Sequence, residues 1–472
     1  MGAGVSHWML ARAVSLRGQL GVVSGTALDS LLVRRLQDGD LGGHVRRAMH
    51  AFPIPEVSAA ALRRYFLPEG RALGEPYKLL PMYKQAVSVA RQQITMLANF
   101  VEVHLAKEGH DGLVGINLLT KLQLPNLPSL YGAMLAGVDC VLMGAGIPRE
   151  IPGALDALAL HQTAVIRFDV EGLASGDAQY ITFDPALHGA DLSVPLKRPR
   201  FLAIIASNSL ATTLARKANG RVDGFVVEGP TAGGHNAPPR GEMKLTEAGE
   251  PVYGERDVVD LGKMRELGLP FWLAGGSGSP AAVQRALDEG ATGVQAGTVF
   301  AYCDESGFDE ALKREVLVRA ARGEVSVMTD PRASPTGYPF KIVRWAGDEN
   351  GRWKRDRLCD LGYLRTAYRR EDGRLGYRCP SEPVDDYLRK GGALADTVGR
   401  QCICNGLVAA IGQPQPRGEQ TAEPPIITSG DDLVNIRTFL AGRTRYSAND
   451  VLDYLLAEVS APVGGSGWSP PV

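Results

Sequence analysis

The run Glu228-Gly-Pro-Thr-Ala-Gly-Gly-His235-Asn236 follows directly on an apolar stretch, Gly224–Val227. Gly233 and Gly234 carry no Cβ, so the chain can cross close to a flat ligand and aim the His235 imidazole at it. An imidazole titrates near neutral pH, which suits a general base or a hydrogen-bond donor to a developing anion. The bland alternative is a histidine that holds its own loop together, and two glycines at a strand end favour the chemical role. Two more Gly-rich turns, Ala274-Gly275-Gly276-Ser277-Gly278 and Ala296-Gly297-Thr298, end the next two apolar runs. Bare backbone N–H groups ahead of a helix bind phosphate, and glycine lets the oxygens approach. Gly115-Ile116-Asn117 ends a further run in an amide, which can bond a ligand edge or simply cap its loop.

These residues need elements to position them. Short apolar runs alternate with helical patterns, as in a parallel sheet built from βα units. Gln19–Val23, Leu113–Ile116, Val138–Met143, Phe201–Ala206, Gly224–Val227, Phe271–Ala274 and Thr292–Ala296 are the strand candidates. Each ends in small or polar residues. An eighth strand has only the stub Met1–Gly4 available, before a helix at Trp8–Arg17. Eight such units make a (β/α)8 TIM barrel, an α/β fold whose sites lie at the strand C-terminal ends. An open doubly wound sheet is the alternative, but ligand signals follow most of the strands and not one switch point. In the barrel reading, the turns at 275–276 and 297–298 follow strands seven and eight, the usual phosphate position. The next helix has good local chemistry, with Ser279 as N-cap, Pro280 at its first position and Gly290 past its end.

Residues 1–330 are thus expected to form the barrel, with an insertion after the second strand at about 37–111. That insertion holds a helical stretch, Tyr83–Lys107, and serves either as a lid or as a decoration on the outside. Thr163–Pro199 reads as a β-hairpin excursion. An accessory C-terminal region follows at 331–460, with Gln413–Pro425 as a Pro-rich linker, and 461–472 reads as a disordered tail.

Composition narrows the function. With 51 Lys+Arg against 52 Asp+Glu, the net charge of −1 gives no reason to expect nucleic acid or an anionic membrane as partner. No apolar run is long enough for a membrane span, and the N-terminus lacks the apolar core of a signal peptide. Six cysteines in 472 residues are too few for a disulfide scaffold and suit a reducing cytoplasm.

Taken in order, the runs VEGPTAGGH, LAGGSG and GVQAGTVF resemble the nitronate monooxygenase family of FMN-dependent barrels, formerly called 2-nitropropane dioxygenases. The start, GAGVSHWMLARAVSLRGQLGVVSG, is similar to that family's first βα unit. The likeness covers roughly residues 1–35 and 112–306. It implies non-covalent FMN, His235 near the reactive face of the flavin, and phosphate contacts at Gly275, Gly276, Gly297 and Thr298. It also implies Asn117 at the flavin edge, with Gly2, Gly25, Gly233 and Gly234 against the cofactor. The implied reaction is oxidation of an alkyl nitronate with dioxygen, on a small-molecule substrate, with a homodimer as the assembly to consider. On the same barrel, relatives reduce enoyl thioesters, enones or quinones with NAD(P)H, which is the alternative. A non-catalytic flavin-binding scaffold is the third reading. The long insertion and the C-terminal region depart from the compact members and bear on the substrate.

Four of the six cysteines, Cys359, Cys379, Cys402 and Cys404, fall in the accessory region. Four thiolates can bind zinc or an iron–sulfur cluster, but the spacing lacks the two Cys-x-x-Cys pairs of a zinc ribbon. Reduced structural thiols, with no metal, are the default expectation.

Overall fold

The computed structural model describes residues 2–346, 356–418, 421–457 and 459. Along the chain the strands are β1 (Gly21–Ser24), β2 (Val114–Leu119), β3 (Cys140–Gly144), β4 (Ala164–Phe168), β5 (Val170–Glu171), β6 (Gln179–Phe183), β7 (Arg200–Ile205), β8 (Gly224–Glu228), β9 (Phe271–Ala274) and β10 (Gly293–Gln295). Seven of them form one parallel sheet in the order β1-β2-β3-β7-β8-β9-β10. That order never reverses, so the sheet is wound as a barrel is, and not as a doubly wound sheet with a switch point. Its two faces bury different sets of alternating side chains. Val23, Ile116, Val141, Phe201 and Phe225 point outward into the helical core. Val22, Leu142, Leu202, Val226 and Trp272 pack together on the inner side. β4 and β6 pair antiparallel as the expected hairpin excursion between β3 and β7.

The expected strand at Met1–Gly4 is replaced by a turn over the described residues 2–6. Two of its first residues are glycine, which has little strand preference, and Gly4 sits at φ +68°, outside the strand region. The turn still lies along β1: Ser6 O accepts the Ser24 N–H at 2.7 Å, and Ser6 Oγ donates to Val22 O at 2.6 Å.

The helices are α1 (Trp8–Leu16), α2 (Leu28–Gln37), α3 (His44–His50), α4 (Pro55–Tyr65), α5 (Val89–Lys107), α6 (Gln123–Leu135), α7 (Ile151–Ala159) and α8 (Asn208–Lys217). They continue as α9 (Leu261–Glu266), α10 (Pro280–Asp288), α11 (Thr298–Ala301), α12 (Glu310–Ala321), α13 (Val384–Arg389), α14 (Ile403–Ala409), α15 (Ile436–Leu440) and α16 (Ala448–Leu456). α5 starts later than the expected Tyr83, because Ser88 caps it by accepting the Arg91 N–H. It packs outside the sheet on α1, α2 and α6. Glu102 ties it to α1 and α2 by accepting the Trp8 N–H at 2.8 Å and pairing with Arg35 at 2.6 Å. α10 begins as its sequence indicates, with Ser279 Oγ accepting the Ala282 N–H.

After residue 330 the chain returns over the strand ends. β11 (Val325–Asp330) and β12 (Phe340–Trp345) form an antiparallel pair, while β13 (Thr366–Arg369) pairs with β14 (Leu375–Arg378) and runs parallel to β5. Val283 and Val299 of the barrel share one core with Phe439, Val451 and Leu455 of α15 and α16. Gln413–Pro425 is no free linker. Arg417 pairs with Asp360 at 2.8 Å and with the buried Glu423 at 2.9 Å, which fixes its path. The tail expected at 461–472 lies outside the described residues. Among those described, no helix is long and apolar enough to cross a membrane.

Candidate active site

One cavity of about 920 Å3, counted to its open mouth, lies at the C-terminal ends of the strands. Thr26 after β1, Asn117 of β2, Gly144 of β3, Ile204 of β7, Glu228 of β8 and Gln295 of β10 all line it. Both edge strands contribute, so the sheet curls round the cavity. Its far wall comes from the C-terminal region, through Phe340, Tyr363, Leu364, Ile403, Leu407 and Thr428. No residue of 37–111 lines it. The insertion is packed against the outer helices, and the later chain takes the lid position.

Gly233, Gly234 and His235 lead from β8 into the cavity wall. Gly234 sits at φ +87°, a conformation that favours glycine, and donates its N–H to Thr428 Oγ1 at 2.8 Å. His235 Nε2 lies 2.7 Å from Ser334 Oγ, and the ring meets Phe340 edge-on with centroids 4.8 Å apart. Burial first, then the nearby Lys121 ammonium, lowers the His235 pKa to about 3. The imidazole is therefore neutral across the physiological range, a hydrogen-bonding group and a weak base.

Two ionisable neighbours escaped the sequence reading. Glu228 ends β8 in the cavity wall, and burial raises its pKa to about 7. Lys121, just after β2, has its pKa lowered to about 7 by burial. Its Nζ makes no hydrogen bond among the described residues and sits over the Tyr338 ring, 2.7 Å from the centroid. A carboxyl in the cleft wall and an amine close to His235, both shifted toward neutrality, mark a site built for proton or anion chemistry. The sequence signal for Glu228 was present, since it opens the Gly-rich run; for Lys121, a polar residue after a strand, there was none.

Beside the cavity, the turns after β9 and β10 present backbone amides. Those of Gly276, Ser277, Gly297 and Thr298 reach no acceptor among the described residues. Gly275 and Gly276 sit at φ +93° and +66°, and a Cβ on Gly275 would lie 2.7 Å from Thr231 Oγ1. A Cβ on Gly297 would meet nothing within 4 Å, so the space above that turn is open. Unpaired amides around open space suit a phosphate. The segment Thr428–Asp432 frames this cradle: Gly430 donates its N–H to Thr298 Oγ1 at 2.9 Å, and Asp431 pairs with Lys341 at 2.7 Å. No periodicity in the sequence pointed to that segment.

Of the residues expected from sequence, Asn117, Gly233, Gly234 and His235 line the cavity, and Gly275, Gly276, Gly297 and Thr298 form the cradle beside it. Gly2 and Gly25 do not line it. Gly25 is instead required by packing, because a Cβ there would lie 2.5 Å from Leu118 Cδ2. A phosphate-bearing, largely flat cofactor fits this combination of cleft and cradle.

Comparison with known proteins agrees with the motifs. Residues 155–330 match the family model described as nitronate monooxygenase. A nitronate monooxygenase of Paraburkholderia phytofirmans is 32% identical over 142 residues, covering 30% of this chain and 37% of that protein. Another, of Pseudomonas aeruginosa, is 37% identical over 122 residues, covering 25% of this chain and 32% of that protein. The matches thus span about a third of the length of these relatives. That matched segment carries all three Gly-rich runs. Among solved structures, FabK from Thermotoga maritima overlays with a TM-score of 0.46 at 14% identity, covering 96% of this chain and 89% of that one. A nitroalkane oxidase from Streptomyces ansochromogenes gives 0.45 at 16% identity, covering 97% and 93%. Overlays this loose carry no weight on function.

Proposed function

We propose that this chain is an FMN-dependent oxidoreductase that oxidises alkyl nitronates with dioxygen. The observation that carries the reading is the joining of a strand-end cleft, holding Glu228 and His235, to a cradle of unpaired amides. Bound there, FMN would supply two-electron redox chemistry and reactivity toward dioxygen. The amides of Gly276, Ser277, Gly297 and Thr298 would hold its phosphate, and Asn117 would bond the ring edge.

The protein's own groups divide the remaining work. Neutral His235, with Nε2 held by Ser334, orients the nitro oxygens by hydrogen bonding. Lys121 adds positive charge that favours an anionic substrate near His235. Glu228, with its pKa near 7, takes the α-proton when the substrate arrives as the neutral nitroalkane. The base role that the sequence suggests for His235 thus passes to Glu228. All six cysteines are free of disulfides, which fits the cytoplasm as the working compartment.

A second reading has a specific observation in its favour. Leu122, Ile204, Phe340, Ile403 and Leu407 give the cavity an apolar wall longer than a small nitroalkane needs. Such a wall suits the acyl chain of an enoyl thioester, or an enone or quinone, reduced with NAD(P)H. Anaerobic mixing of the flavin-loaded protein separates the two. Bleaching of the flavin by a nitronate, with no faster bleaching by NADH or NADPH, supports nitronate oxidation. Rapid bleaching by a nicotinamide alone supports the reductase. Failure to bind FMN on reconstitution overturns both.

A further inference from the structure

Cys359, Cys379, Cys402 and Cys404 are spread over the C-terminal region, yet the fold gathers all four around one small cavity. None is in a disulfide. This cavity lies behind the wall of the main one, because Leu364, Ile403 and Cys404 line both. We infer that the four thiols are the ligands of an iron–sulfur cluster seated next to the active-site cavity.

Geometry separates a cluster from a single ion. A tetrathiolate zinc site draws four sulfurs to about 2.3 Å from one point. Among the described residues, no three His, Cys, Asp or Glu side chains are placed to hold one metal ion. The four cysteines instead line one common cavity, a placement that suits iron and inorganic sulfide held by four thiolates. The sulfurs also receive the hydrogen bonds that thiolate ligands require. Asn405 Nδ2 donates to Cys402 Sγ at 3.4 Å. The Leu364 N–H donates to Cys404, and the Ser381 N–H and hydroxyl donate to Cys379. Arg365 beside Cys359 and Arg357 beside Cys379 bring positive charge to a centre of net negative charge.

Plain packing thiols account for this arrangement less well. Hydrogen-bond donors aimed at sulfur are of little use to neutral thiols and of much use to thiolates bound to iron. The assignment stands whether or not the main cavity takes a flavin.

The test is chemical analysis of the full-length protein, purified anaerobically and, if it emerges depleted, reconstituted with ferrous iron and sulfide. Iron and acid-labile sulfide should appear in equal, stoichiometric amounts, and dithionite reduction should give a cluster electron paramagnetic resonance signal, which flavin absorbance cannot mask. Cys379→Ser and Cys402→Ser should each lose most of the iron, while Cys303→Ala, in a separate part of the core, should keep it. Zinc alone at one per chain overturns the inference. So does a folded, reconstituted protein without iron whose four thiols all titrate on denaturation.

Discussion

Lys121 stands close enough to His235 for its ammonium to lower the imidazole's pKa beyond what burial does. With that pKa at about 3, His235 changes neither charge nor role between about pH 5 and 8. Rates on a preformed nitronate should therefore show no limb assignable to His235 in that interval. His235→Asn keeps a hydrogen-bond donor of similar reach, so flavin should stay bound and nitronate turnover should fall modestly. Lys121→Met should raise the His235 pKa toward its ordinary 6.5, read by imidazole NMR across a pH titration. An unchanged imidazole titration would remove Lys121 from the site's electrostatics.

Glu228 carries the proton chemistry in this scheme, and its raised pKa has two consequences of opposite value. Turnover of neutral nitroalkanes needs the carboxylate, so kcat/KM should rise with pH through about 7. Glu228→Gln should cost on the order of 10²–10⁴-fold on nitroalkanes and far less on nitronates. Stability runs the other way. A carboxyl with a folded pKa above its unfolded 4.5 favours the fold below about pH 4.5 and loses that contribution as pH rises through 7. Glu228→Gln should accordingly raise the melting temperature at pH 8 and leave it unchanged near pH 4. A variant equally active on both substrate forms would show that Glu228 is a structural acid.

The parts that were legible in the sequence are those where local pattern and tertiary position coincide. Each Gly-rich turn follows an apolar run, so β8, β9 and β10 and their loops could be read in order, together with the Ser279 cap. The stub at residues 2–6 was misread because a barrel count asked for a strand where glycines favour a turn. The sequence left the insertion open as either a lid or an outer decoration, and the structure takes the second. A long insertion between β1 and β2 suggests a cover, yet its helices pair their apolar faces with α1, α2 and α6. The cover comes from residues after 330, which meet the barrel through contacts distant in sequence, such as Gly234 to Thr428 and Thr298 to Gly430. Long-range pairings of that kind leave no mark on local sequence.

One such pairing anchors the lid and can be broken. Asp29 of α2 and Arg91 of α5 form a buried pair at 2.7 Å, and the Tyr363 hydroxyl of the cavity wall donates to the same carboxylate. Burial alone would raise the Asp29 pKa, but Arg91 and Tyr363 hold it below the usual 3.8. Removing one partner leaves the other charge buried, which typically costs about 3–5 kcal/mol, so Arg91→Met should destabilise strongly in urea. Tyr363→Phe should cost about 1.5–3 kcal/mol, the worth of a hydrogen bond to a charged group. Because the folded pKa is depressed, this pair's contribution is present above about pH 3.8 and fades as pH falls through the folded value. Equal stability of Arg91→Met and wild type would show the carboxylate to be satisfied elsewhere.

The cradle offers the cleanest test of cofactor binding, because its glycines are not equivalent. Gly275 and Gly276 sit at positive φ, so a side chain there strains the backbone as well as filling space, and lost flavin would have two explanations. Gly297 is different. Its φ of −120° is open to any residue, and a Cβ would touch nothing within 4 Å. Gly297→Val should therefore fold with the wild-type circular dichroism and melting temperature of the apoprotein, since no native contact is lost. If the amides of Gly297 and Thr298 receive the phosphate, the valine methyl groups stand where its oxygens must approach. FMN affinity, followed by fluorescence quenching, should then fall by at least 10²-fold. Riboflavin, which has no phosphate, should bind the variant and wild type alike. Equal loss of both ligands would place the valine against the ring, and full FMN affinity would move the phosphate to another part of the cavity.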